Sequence, residues 1–315
     1  MIKVALVGIW HVHFDGYARS VANSPDCEIC ALWAPEIDPG KAKAELYGCK
    51  YYSDYDEMLA KSDCDAVMVC TSTDMHKEII IKAANAGKHI FTEKVLCFNE
   101  ADALEVKKAV DDSGVKFCIS YPWRSRGDFL FVKKAIDEGL VGQVTYCRMR
   151  NAHNGASANW LPDTFYDAKT CGGGAMMDLG AHGMYILNWL MGRPVKATSA
   201  FTNVIVNTVE DNAVTVFEYA DGAIGVNETA FVSQNNPFSL EVVGTKGTIL
   251  AGGFMDKLCY NTGNGWVFPS LPSSKPAPID MWIDAIKGEG EIIYGIDDAV
   301  ELSYAMEIAY KNIVK

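Results

Sequence analysis

No stretch of about 18 uninterrupted apolar residues runs through this 315-residue chain, so no membrane-spanning helix is expected. The first residues, Met1 to Gly8, carry neither the apolar core nor the cleavage site of a secretory signal, which points to the cytoplasm. Basic charge is scarce: 28 Lys and Arg stand against 40 Asp and Glu, a net charge of −12. Up to residue 120 there are 19 acidic and 13 basic residues, and beyond it 21 and 15. Neither part offers the clustered positive charge that nucleic acid or an anionic membrane surface requires, so neither is expected as a partner. Internal repeats and low-complexity tracts are missing. So is a complete zinc pattern. Cys27 and Cys30 look like half a site, but no second pair follows at a usable spacing. The ten cysteines are irregularly spaced, several in apolar runs (Cys70, Cys118, Cys147), and read as reduced, buried thiols rather than disulfides.

What is present is an ordinary globular mix, 49% hydrophobic and 22% charged, which excludes a disordered chain. Short apolar runs at 3–7, 30–33, 66–71, 89–92 and 117–121 alternate with helix-length segments at 13–22, 41–47, 55–60, 76–86 and 99–113. Asn99 reads as a helix N-cap, and Gly87 and Gly114 as stops. This alternation implies right-handed βαβ units and a parallel sheet covered on both faces. After about residue 122 the pattern changes. A helix at 129–138 is followed by strand-like segments at 143–153, 195–206, 213–219, 223–232, 239–243 and 248–251, with helices near 184–191 and 297–313. Turn residues separate the strands, so a mostly antiparallel sheet is expected. The expected organisation is an α/β domain over 1–122 and an α+β domain over 123–315.

Four segments carry residues suited to chemistry. The first strand-to-helix turn reads Gly8-Ile9-Trp10-His11-Val12-His13; only the first glycine of a dinucleotide-binding Gly-x-Gly-x-x-Gly turn is there. His11 and His13 have no third ligand nearby in sequence, so no metal is expected; contact with cofactor phosphate or substrate is favoured. The usual acid after the second strand is absent, Ala34 standing there, and Glu36 lies two residues late. The third strand ends in Thr71-Ser72-Thr73, followed by His76, hydroxyls and a ring suited to a ribose or phosphate. The fourth ends in Glu93-Lys94-Val95; a lysine there can donate to a substrate hydroxyl or serve as a base. In the second part, a glycine run at 172–174 opens a helix bearing Asp178 and His182, four apart and suited to proton transfer.

Together, in this order, these segments resemble the glucose-fructose oxidoreductase, inositol dehydrogenase and rhizopine-catabolism (Gfo/Idh/MocA) oxidoreductases. The likeness spans nearly the whole chain, through Val4–Gly8, Asp65–His76, Ala86–Lys94, Gly139–Val144 and Gly172–His182. It implies an N-terminal Rossmann domain with a doubly wound parallel sheet. It further implies a C-terminal domain with a large, open, mostly antiparallel sheet that often forms a dimer or tetramer interface. It implies NAD or NADP as cofactor and a ring hydroxyl or ketone of a sugar, cyclitol or related polyol as substrate. On this likeness Lys94, Asp178 and His182 are catalytic. Gly8, Ile9, Trp10, His11, Val12, Glu36, Thr71, Ser72, Thr73, His76, Glu93 and Lys94 face the cofactor, and Arg124, Trp160, Tyr166 and His182 the substrate. Asp163 and Phe165 share the loop of Trp160 and Tyr166. Three departures stand out. Trp10 and His13 replace glycines, Ala34 replaces the ribose acid, and Val95 replaces the proline after Lys94. A trans Lys94–Val95 bond is therefore expected, since non-proline cis bonds are rare.

The expected function is an NAD(P)-dependent oxidoreductase. The alternative is a ligand- or dinucleotide-sensing regulator that kept the fold without turnover. A third reading is non-redox or internally balanced redox chemistry on a sugar, such as elimination or hydrolysis through a transient ketone, with a tightly held cofactor.

Overall fold

A computed structural model describes residues 1–235, 238–253 and 255–314. The chain forms two compact units, Met1–Ser120 with Pro276–Val300, and Tyr121–Lys275 with Glu301–Lys315.

The first unit alternates strands and helices: β1 (Ile2–Val7), α1 (Phe14–Asn23), β2 (Cys27–Trp33), α2 (Ile37–Leu46), β3 (Lys50–Tyr52), α3 (Tyr55–Lys61), β4 (Ala66–Val69), α4 (Thr73–Asn85), β5 (His89–Thr92), α5 (Glu100–Ser113) and β6 (Phe117–Ile119). Among the described residues the strands form one parallel sheet in the order β3-β2-β1-β4-β5-β6, the doubly wound order. Val4 to Val7 and Ala66 to Val69 are fully buried because helices cover both faces, so these strands read as unbroken apolar runs. Asn99 caps α5 as expected, its Oδ1 accepting from the Asp102 amide at 2.8 Å, and Gly114 ends that helix at φ +66°. α2 begins at Ile37, earlier than its periodicity indicates; Pro39 sits in the first turn, where its missing N–H costs nothing.

The second unit begins with a short 3-10 turn (Pro122–Ser125) and continues with α6 (Gly127–Asp137), β7 (Val144–Ala152), α7 (Ala168–Cys171), α8 (Ala175–Asp178), α9 (Gly180–Met191), β8 (Lys196–Thr202), β9 (Asn212–Glu218), β10 (Ile224–Ala230), β11 (Phe238–Gly244), β12 (Gly247–Gly252), β13 (Met255–Asn261) and β14 (Trp266–Val267). Among the described residues its sheet runs β14-β13-β12-β11-β7-β10-β9-β8, antiparallel except where β7 meets β10. α9 packs on β7 and β10 and buries most of its length. Two last helices close the chain. α10 (Pro278–Lys287) returns to the first unit, where Trp282 is buried against Phe91 and its indole donates to the Lys116 carbonyl at 3.4 Å. α11 (Ile296–Lys311) gives its first residues to the first unit and the rest to the second.

Among the described residues the ten cysteines are thiols rather than disulfides. Burial pushes the Cys30 and Cys97 thiols up to about 12, so they pack as small apolar groups.

Polar anchors place the α8–α9 corner. Asn227, buried on β10, donates to the Gly180 carbonyl at 2.8 Å; Thr229 donates to Ala175 at 3.2 Å. Glu210 Oε1 accepts from the amides of Gly174 (2.9 Å) and Met176 (3.0 Å) and from the Tyr310 hydroxyl (2.6 Å). Gly174 has to be glycine, since a Cβ there would lie 2.1 Å from the Glu210 carbonyl oxygen. Burial raises the Glu210 carboxyl above its ordinary value, although those three donors pull it down. An acid whose native pKa is raised supports the fold at low pH and loses that support as pH rises through the raised value. Relative to Glu210→Gln, which keeps the acceptor oxygen, wild type should therefore lose thermal stability as pH rises from the ordinary carboxylate range through the raised value. Matched melting scans check this, and a constant difference in Tm contradicts it.

Candidate active site

Loops at the carboxyl ends of β1, β4 and β5 converge in the first unit, where open parallel sheets bind ligands. Gly8 ends β1 at φ +78°, and a Cβ on it would meet Thr71 Cγ2 at 2.5 Å, so β1 and β4 approach as closely here as backbones can. The Trp10 and His11 amides both donate to the Cys70 carbonyl, at 3.1 and 3.3 Å, and the His13 amide to His11 Nδ1 at 3.2 Å. Trp10 is half-buried and Val12 exposed at the rim of this turn. Thr71, Ser72, Thr73 and His76 are all buried at the start of α4. Ser72 Oγ donates to Asp74 Oδ1 at 2.5 Å, and Thr71 Oγ1 is buried with no hydrogen-bond partner. His76 Nδ1 faces the Val95 carbonyl at 2.9 Å and Nε2 the Thr71 carbonyl at 3.2 Å. Burial lowers its pKa against those two carbonyls, so it donates from one nitrogen as a neutral ring. Glu36 is exposed at the N-terminus of α2, and Ala34 is buried.

Glu93 and Lys94 follow β5 with 1% and 6% of their surface exposed. Around the Glu93 carboxylate, Oε1 accepts from the Tyr17 hydroxyl and lies 2.8 Å from His13 Nδ1 and 3.6 Å from His11 Nδ1; Oε2 accepts from the Lys94 amide at 3.0 Å. Tyr17 also meets Ser120 Oγ at 2.7 Å. Burial by itself would raise this carboxyl. The His11 and His13 rings and the Lys94 ammonium outweigh it and hold it well below the usual carboxylate range. Burial and Glu93 together raise the Tyr17 phenol well above its ordinary value, so it stays a donor. The Lys94–Val95 bond is cis, which corrects the expectation of a trans bond; Val95 is buried, with its carbonyl held on His76.

In the second unit, Asp178 ends α8 and His182 lies in the first turn of α9, with Leu179 between them in right-handed helical conformation. The helix expected near 184 thus starts at Gly180. His182 is buried; its ring stacks on Trp123 at 4.8 Å, and its Nδ1 lies 2.9 Å from the Tyr185 hydroxyl. Tyr185 stacks in turn on Tyr121 at 4.2 Å. Arg124 is buried, its guanidinium 5.0 Å from the centre of the Trp189 ring. Trp160 is exposed and donates to Asn154 Oδ1 at 3.0 Å. Tyr166 and Asp163 line a cavity of about 660 Å³ with Asn159, Asp167 and Thr208, whereas Phe165 is buried.

Sequence reading passed over Tyr17, Trp123 and Tyr185. Tyr17 carries a weak signal, a tyrosine four residues after His13 on the helix that faces the turn. Tyr185 follows His182 by three and shares its helical face. The chemistry of the first set fits a dinucleotide. It combines a close β1–β4 approach at Gly8, buried hydroxyls including the unpartnered Thr71 Oγ1, and a buried lysine at a strand's carboxyl end.

Comparison with known proteins agrees. A family model described as "Oxidoreductase family, NAD-binding Rossmann fold" matches residues 2–121, and one described as "GFO/IDH/MocA C-terminal domain" matches residues 129–250. The chain is 27% identical over 315 residues to inositol 2-dehydrogenase of Rhizobium meliloti, covering 95% of this chain and 93% of that one. It is 27% identical over 259 residues to scyllo-inositol 2-dehydrogenase (NAD(+)) of Bacillus subtilis, covering 80% and 74%. Its fold is similar to that of levoglucosan dehydrogenase solved with NADH and L-sorbose, with a TM-score of 0.83, 20% identity, and 99% and 96% of the two chains covered. Among the described residues, no helix is long and apolar enough to cross a membrane.

Replacing Tyr185 with Phe removes the hydroxyl on His182 Nδ1 while keeping the ring stack. The tautomer ratio of His182, read by nitrogen-15 NMR of labelled histidine, should change, with a loss of about 1 kcal/mol in stability. An unchanged histidine spectrum would show that the hydroxyl does not fix the ring.

Proposed function

The chain belongs to the Gfo/Idh/MocA oxidoreductases, and from that premise we propose that it moves a hydride between a nicotinamide dinucleotide and a ring carbon bearing a hydroxyl or ketone, on a sugar, cyclitol or related polyol. The observation that carries this reading is the buried Glu93-Lys94 pair at the carboxyl end of β5, beside the Thr71–His76 segment of an NAD-binding Rossmann domain. Thr71, Ser72, Thr73, His76 and Glu93 would hold the nicotinamide and its ribose. Gly8 to Val12 would hold the phosphates, with Glu36 at the ribose distal to the nicotinamide. The nicotinamide, when bound, supplies the hydride acceptor or donor.

The protein's own residues handle the proton and the developing charge. Lys94 donates to the reacting oxygen and stabilises it as an alkoxide, the electrostatic task that a preorganised cation in a dry pocket does well. Its amide is pinned on Glu93 Oε2, which fixes the lysine's starting point. His182 exchanges a proton with the substrate. With Nδ1 engaged by Tyr185, that exchange falls to Nε2. Asp178 orients substrate or ring from the end of α8. Arg124, Trp160 and Tyr166 contact substrate in this reading, and the Tyr166 cavity, with its Asp163, Asn159 and Thr208, has the acceptors and donors that recognise sugar hydroxyls. The reading includes a homodimer or homotetramer formed on the outer face of the second unit's sheet, where Ile224 is exposed and Val226 half-buried.

The test is a titration with NADH and NADPH, followed by tryptophan emission and calorimetry, and then turnover on myo-inositol, scyllo-inositol, levoglucosan and simple aldoses. Saturable micromolar binding of one nucleotide and turnover of a polyol are expected. Lys94→Ala should keep nucleotide binding within a few-fold and lose roughly 10²- to 10⁴-fold in kcat/KM. Absence of binding by either nucleotide, with none retained in the purified protein, would overturn the reading.

A further inference from the structure

The pair His11 and His13 has no third donor nearby in sequence, and the fold supplies one from 80 residues further on. Glu93 Oε1 lies 2.8 Å from His13 Nδ1 and 3.6 Å from His11 Nδ1, the two imidazole centres are 4.6 Å apart, and one ligand atom from each residue falls within 4.8 Å of the others. Donor atoms on a tetrahedral ion with bonds of 2.0–2.1 Å sit roughly 3.3 Å apart, so the spacings here bracket what a bound ion would impose. We propose that His11 Nδ1, His13 Nδ1 and Glu93 Oε1 form a binding site for one divalent transition-metal ion of the zinc and cobalt type, at the edge of the face proposed above for the dinucleotide.

Four further features support it. His11 Nδ1 accepts the His13 amide at 3.2 Å, which marks it as the unprotonated nitrogen, and a bound ion takes that lone pair over from this contact. The carboxylate is oriented by the Tyr17 hydroxyl on Oε1 and the Lys94 amide on Oε2, the kind of supporting hydrogen bonds that hold metal ligands in place. His13 is half exposed, its side chain at 50%, which provides an entry path and room for a water or phosphate oxygen as fourth ligand. Two imidazoles and one carboxylate suit zinc or cobalt rather than magnesium or calcium, which demand mostly oxygen. On binding, the ion takes the place of the His13–Glu93 hydrogen bond and releases its proton to solvent.

The experiment uses the full chain, stripped with a chelator, and cobalt(II) or zinc(II) alone as probe. Calorimetry should give a single equivalent, and cobalt should produce visible d–d bands without the near-ultraviolet absorption of a cobalt–thiolate bond. His13→Ala, whose ring caps no backbone group, should stay folded by circular dichroism and weaken binding by roughly 100-fold or more. His11→Gln should do the same, so the result does not hang on one variant. No binding at millimolar metal, thiolate absorption from the cysteines, or an affinity unchanged in both variants would each overturn the proposal.

Discussion

A carboxylate buried at the carboxyl edge of a parallel sheet is the constraint around which the first unit is arranged. Taking the Glu93 charge out of water costs several kcal/mol unless hydrogen bonds and opposite charges replace the lost solvation. Several elements near the end of β5 contribute. α1 sends Tyr17, the β1–α1 turn sends His11 and His13, the chain after β6 sends Ser120 to Tyr17, and Lys94 gives its own amide. The turn that looks defective as a glycine-rich loop is therefore specialised. His13 stands where a small residue would leave Glu93 short of a partner, and the amides of Trp10 and His11 are spent on Cys70 to hold the turn closed.

The second unit meets a related demand in a different way. Asp178 and His182, the side chains proposed to act there, sit on the four-residue α8 and in the first turn of α9, and so short a helix as α8 has little stability of its own. The free amides of this corner are taken by Glu210 and its carbonyls by Asn227 and Thr229, so the sheet and the last helix grip the corner directly. At Gly173 and Gly174 the space a Cβ would take is occupied by the Tyr310 ring and the Glu210 backbone. Aromatic stacking on Trp123 and the Tyr185 hydroxyl then fix the His182 ring.

Much of this was legible in the sequence wherever the signal is local. The βα alternation, the Asn99 cap, the Gly114 stop and the strands from β7 to β12 follow from period and turn chemistry. The family resemblance rested on motifs in order, and the family models match both parts of the chain. What escaped was long-range or short. β3 and β14 have three and two residues, too few to show a period. α10 carries an apolar face, but nothing near it in sequence says that Trp282 packs on Phe91. The meeting of His11, His13 and Glu93 spans 80 residues and depends on strand order. The cis Lys94–Val95 bond runs against the general preference for trans, and no local residue type announces it.

The proposed reaction is hydride transfer to a polyol-type carbon. The most direct measurement supplies NADH deuterated at nicotinamide C4 on the transferring face, together with a mixture of keto-inositols and ketoses, and weighs the alcohols formed. Product alcohols one mass unit heavier are expected, with the label on the former carbonyl carbon and with Lys94→Ala forming them at least roughly 100-fold more slowly. Alcohol products without deuterium, or no reduction while NADH is bound, would contradict the proposed reaction.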